Sequence, residues 1–173
     1  ICRIAKASLP FGLISLCVLI YFKIGTIMLS MLCGDVTVGW YNAAFNVSEG
    51  LSALIAGSIG GVCFPIMSKR YFGSHDDLKI VFISSFKLSL ISGFIVALFV
   101  TLFANEIILI LYGPGYNEAV QALQILIWAS FVICISTISS TLLIATNKQF
   151  IVGLGTGIGA LLNIGLNYTL IPI

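Results

Sequence analysis

Three ionisable side chains interrupt the long apolar runs of this 173-residue chain: Lys23, Glu49 and Lys87. Placing a charge near the middle of a bilayer costs about 2.5–3.5 kcal/mol on insertion scales, so each needs a partner or a task. Lys23 stands in YFKIGTIMLS, about as far from the turn near Asp35 and Val36 as Glu49 does on the other side. An antiparallel hairpin therefore brings the two to similar depth. Opposite charges at one depth lower each other's burial penalty. Such a pair either fixes the hairpin or lines a charged, water-accessible cavity. Lys87 lies roughly 10 Å inside its run, close enough for its aliphatic stem to carry the ammonium to the interface.

Polar neighbours recur at helical spacing. Asn42, Asn46 and Glu49 follow i, i+4, i+7 and share one face, as do Lys23, Thr26 and Ser30. Thr156, Asn163 and Asn167 form a similar stripe. Three helices with polar faces suit a wet interior, although Asn and Ser also supply ordinary hydrogen bonds between membrane helices.

Other chemistry fails on inspection. The run GLGTGIGA contains G-x-G-x-x-A, but the dinucleotide fingerprint needs a preceding strand and a water-exposed phosphate site. Gly153/Gly157 and Gly155/Gly159 instead match the small-x-x-x-small spacing of membrane helices, which predicts packing or flexibility. His75, the single histidine, lies beside Asp76 and Asp77 in a stretch read as a solvated loop. Cys2, Cys17, Cys33, Cys63 and Cys134 form no C-x-x-C pair and read as small packing residues. Asn46-Val47-Ser48 is a glycosylation sequon inside a span, hence inaccessible. No nucleophile–base pair is visible. The expectation is therefore a protein that is not an enzyme, with no metal and no cofactor.

The elements that carry these residues follow from composition. Charged residues make up 8% of the chain and hydrophobic ones 60%, with mean hydropathy +1.16. A soluble domain carries roughly 25% charged residues, so this inventory cannot cover a water-exposed surface. The net charge of +2 is small and dispersed, which excludes nucleic acid as a partner. Runs long enough to cross a bilayer cover about 9–32, 38–67, 80–103, 119–145 and 150–171. CGDVT, SKRYFGSHDDLK, ANEIILILYGPGYNE and TNK read as the connections. The predicted fold is all-α: a polytopic integral membrane bundle of about five transmembrane helices.

Basic residues set the orientation. Arg3, Lys6, Lys69, Arg70, Lys79 and Lys148 fall on one side, while Asp35, Glu106 and Glu118 fall on the other. Lys and Arg collect in cytoplasmic loops, so the first set and the N-terminus are expected inside. A chain that starts at Ile1 with a helix already near is expected to be a piece of a longer polytopic protein, with no signal peptide.

The stretch LPFGLISLCVLIYFKIGTIMLSMLCGDVTVGWYNAAFNVSEGL resembles the opening of the C-terminal half of oligosaccharide-lipid flippases. These belong to the multidrug/oligosaccharidyl-lipid/polysaccharide exporter superfamily. FPIMSKRYF, LILYGPGYNEAVQALQIL and GALLNIGLNYTLIPI are similar to the same family in order and spacing. VGWYNAA and LYGPGY are the more specific passages. The resemblance implies a parent of about 12–14 helices in two related lobes around a central cavity. It also implies alternating access of a polyprenyl-pyrophosphate-linked sugar at the cytoplasmic (inner) membrane, as in O-antigen and other surface polysaccharide assembly. Partners would be the lipid-linked oligosaccharide, membrane lipid and the remaining helices. One departure is Gly25, where the family often has an acidic residue.

On this reading Lys23, with Lys87, attracts the pyrophosphate, because an ammonium in a low-dielectric cavity attracts phosphate more strongly than in bulk water. Asn42, Asn46 and Asn163 offer hydrogen bonds to sugar hydroxyls, and Glu49 balances Lys23 in the empty cavity. Two other classes fit the residues less well. A multidrug or cation exporter of the same superfamily calls for an acidic excess in the spans. A membrane-embedded glycan-assembly enzyme calls for a larger polar loop outside.

Overall fold

A computed structural model describes residues 26, 29, 30, 34–73 and 75–170. Most of the first expected span, 9–32, lies outside the described residues; of it, residues 26, 29 and 30 are helical. The other four spans are helices. They are α1 (Asp35–Tyr71), α2 (His75–Leu102), α4 (Ala119–Ala145) and α5 (Gln149–Leu170). Each is long and apolar enough to cross a membrane. No strand occurs among the described residues. The protein is an all-α polytopic membrane bundle. By contacts the chain divides into two compact units, residues 1–38 with 148–173, and Gly39–Asn147.

The connections are shorter than the sequence reading allows. SKRY continues α1, and HDDLK begins α2, leaving a turn of about three residues. Charge explains the extension. Lys69 and Arg70 occupy the last turn of α1 and Asp76 and Asp77 the first turn of α2. Each sign therefore complements the helix dipole end it meets. Arg70 also pairs with Asp77 across the turn. With 37 residues, α1 is about 55 Å long, well beyond the roughly 30 Å hydrocarbon layer.

The stretch expected to be a loop from Ala104 is largely a further, fifth helix among the described residues. Ala104–Tyr112 forms a nine-residue helix, α3, followed by a 3₁₀ turn at Pro114–Tyr116. Too short to span, it still buries Ala104 and Ile108. Gly113, at φ +81° and ψ −179°, ends it in a conformation open essentially to glycine. The TNK turn behaves as read: Asn147 takes φ +59° after α4, the left-handed position that asparagine tolerates best among side-chain-bearing residues.

In the Gly39–Asn147 unit, α1, α2 and α4 pack about a seam of small residues. Along α1 the buried positions Ala44, Ser48, Ser52, Ala56 and Gly60 recur every four residues. Ser85, Ser89, Gly93 and Ala97 do so on α2. One apolar cluster, including Ala43, Ala97, Val100, Ile108, Leu123 and Ile127, closes the seam near α3. A second, with Cys63, Met67, Ile138 and Ala145, closes it at the other end. Between them polar links tie each pair of helices. Ser89 Oγ donates to the Cys134 carbonyl at 2.9 Å, and Cys134 Sγ faces the Ser52 carbonyl at 3.9 Å. Ser85 gives its single proton to the Val81 carbonyl at 2.7 Å, so the Cys63 thiol is the donor in their 3.0 Å contact. Without water in the hydrocarbon, buried polar groups must find such partners; none of the buried side-chain polar atoms among the described residues lacks one. Cys63 and Cys134 are buried free thiols, as their apolar surroundings predict.

Trp40 Nε1 donates to the Gly115 carbonyl at 3.1 Å. This bond sets the start of α1 beside the α3 end of the unit, so α1 and α2 run antiparallel.

Candidate functional site

Polar residues on the first half of α1 sort by size. Ser48 and Ser52 are buried and bond back to the Phe45 and Glu49 carbonyls at 3.0 Å. Asn46 and Glu49 are exposed, and Asn42 is half-buried. At about 100° per residue, Asn42, Asn46 and Glu49 fall within roughly 60° of arc. The buried set Ala44, Ser48 and Ser52 is centred roughly 125° away. The amide and carboxylate stripe thus turns away from the packed interior of its own unit.

Depth makes that exposure informative. Glu49 lies about 21 Å along the helix from Asp35 and about 30 Å from Lys69. A carboxylate there stands far from either charged end of α1. Among the described residues no cation is within ion-pair distance of it, the one such pair being Arg70 with Asp77. Lys23, the expected partner of Glu49, lies outside the described residues. Asn163 is half-buried on α5, in the other compact unit. Thr156 of the same stripe bonds its own helix at Val152 O, 2.9 Å.

Lys87 is kept apart from this face. It is exposed on α2 in a shallow groove lined by Phe82, Ile83, Phe86, Leu90 and Ile91. It sits about 12 Å from Lys79, on the side of the α1–α2 turn, while Glu49 is about 30 Å from Lys69 at that turn. Measured from the Arg70–Asp77 pair, the two differ in depth by about 16 Å. Side chains on a helix lean toward its N-terminus, which points the Lys87 stem to the nearer interface.

Sequence reasoning passed over two features. One is the small-residue seam, legible as Ala44-x₃-Ser48-x₃-Ser52-x₃-Ala56-x₃-Gly60. Attention to the glycines of α5 hid it, yet a Cβ on Gly155, Gly157 or Gly159 meets nothing within 4 Å. The other is the basic pocket at the α1–α2 turn, lined by Lys69 and Arg70. Its signal was the Lys69–Arg70 pair placed four and five residues after Pro65.

No curated protein and no solved structure matches the chain. Its first 72 residues, which include Lys23 and the whole outward stripe of α1, match the family model described as polysaccharide biosynthesis protein, residues 1–72.

Proposed function

We propose that this membrane protein moves a polyprenyl-pyrophosphate-linked oligosaccharide across the cytoplasmic membrane during surface polysaccharide biosynthesis. One observation carries the reading: Glu49, about 21 Å along an apolar helix from Asp35, shares with Asn42 and Asn46 a face that turns away from the packed interior of their unit. Lipid against that face would cost about 2.5–3.5 kcal/mol for an ionised Glu49 alone. A water-filled passage removes the cost and gives the amides sugar hydroxyls to bind. The match of residues 1–72 to a polysaccharide biosynthesis protein model is consistent with a glycan cargo. Within this reading Lys23 is the candidate for the pyrophosphate, Glu49 for its charge balance and Asn163 for a sugar hydroxyl. The ends bearing Lys69, Arg70 and Lys148 face the cytoplasm, following the bias of basic residues. The protein performs no bond chemistry and uses no cofactor.

The test is surface glycan from cells carrying Lys23→Ala or Glu49→Gln in the full-length protein. At matched protein level, glycan is expected to fall at least about tenfold, the effect of roughly 1.4 kcal/mol. Undiminished glycan from both variants overturns the assignment.

A further inference from the structure

At the α1–α2 turn an open pocket of about 770 Å³ is lined by Pro65, Ile66, Lys69, Arg70, Gly73 and Asp77. Its size lies in the range that holds small molecules. Its walls are of two kinds. Pro65 and Ile66 form an apolar side, with Ile66 41% exposed. Lys69 and Arg70 form a cationic side one turn further along α1. Arg70 is engaged by Asp77. Lys69 is exposed and has no carboxylate partner among the described residues. Both helices that frame the pocket are long enough to span the bilayer, and charged residues collect at the two ends that meet here. Apolar below and cationic above, the pocket has the polarity of an amphiphile whose head is an anion.

We infer that this pocket holds the phosphate headgroup of a membrane lipid. The acyl chain lies along Pro65 and Ile66, and the phosphate sits between Lys69 and Arg70. An ammonium gives phosphate a point charge, while the guanidinium has five donors and can serve Asp77 and a phosphate oxygen together. Asp77 opposes the ligand, since its carboxylate competes for Arg70. Free phosphate shares the headgroup chemistry but has no use for the apolar wall, which favours the lipid as the source. The inference needs only that this end of the hairpin meets a membrane surface. It is independent of which face that is and of what the protein transports.

The experiment uses the full-length protein in detergent, titrated with dioleoyl-phosphatidylglycerol, with dioleoylglycerol (the same chains without phosphate), or with inorganic phosphate. Bound adducts are counted by native mass spectrometry. Phosphatidylglycerol is expected to bind and dioleoylglycerol not. Lys69→Ala should weaken binding about fivefold, the share of one basic residue at a lipid surface, and Lys69→Arg should restore it. Asp77→Asn should tighten binding by releasing Arg70. The Lys69 side chain is exposed, so its variants keep the thermal midpoint and a loss reports binding. Equal binding of dioleoylglycerol, an unchanged Lys69→Ala, or weaker binding in Asp77→Asn overturns the site. Inorganic phosphate bound as tightly as the lipid overturns the membrane source.

Discussion

The two faces of α1 place polar groups in the same apolar helix and treat them in opposite ways. Inward, Ser48 and Ser52 are short enough to bond their own helix carbonyls, and their smallness lets α2 and α4 approach. Outward, Asn46 and Glu49 are too long and too strongly hydrated to be settled that way. In the membrane a hydroxyl is a packing device and a carboxylate is a demand for water or a partner. One helix therefore builds the bundle with one side and offers a second side to something else.

Placing the same residue on each face tests this contrast most strongly. Ser52→Leu drives an isobutyl group into a gap between the three helices of only about 10 Å³, beside Gly93, Ser130 and Phe131. Overpacking of this kind costs about 1–3 kcal/mol or more. The full-length protein should lose folded yield and melt lower in detergent. Asn46→Leu, on the other face, should leave stability within about 0.5 kcal/mol of wild type, as surface changes do, while surface glycan falls. If both variants unfold alike, the faces are not distinct.

A weaker pair uses glycines. A Cβ on Gly93 would stand 3.0 Å from Phe131 Cδ2. Phe131 is braced by Phe94 and Trp128, with ring centroids at 6.1 Å from each. Gly93→Ala should therefore cost on the order of 1 kcal/mol. Gly157→Ala meets nothing within 4 Å and should stabilise α5 by up to about 1 kcal/mol through helix propensity. Thermal midpoints of the two variants, read side by side, give opposite signs.

Much of this was legible in the sequence because lipid enforces it. Four of the five expected spans were open to comparison, and each is a helix with ends within a few residues of expectation, apart from α1 and α2. Those two run on because S-K-R-Y and H-D-D-L-K look like loop residues but carry charges suited to helix ends. The segment from Ala104 read as a loop because Gly113, Pro114 and Gly115 punctuate it. Nine residues cannot span, yet Ala104 and Ile108 at i, i+4 were enough to dock a short helix. Of the candidate site, the shared face of Asn42, Asn46 and Glu49 followed from spacing alone. Its direction did not, because it depends on which side of α1 carries the small residues. Lys87 was grouped with Lys23 as a cation for the pyrophosphate, and its depth sets it apart from the Glu49 face.

The seam of serine, alanine, glycine and cysteine also bears on motion. Interlocked leucines and phenylalanines must change rotamer before one helix can pass another, whereas low-relief surfaces present few such obstacles. Sliding of packed helices is one of the standard routes by which proteins switch shape. The α1 side of the seam is such a low-relief row, which favours shear along α1, whereas Phe131 wedged against Gly93 holds α2 and α4 in register.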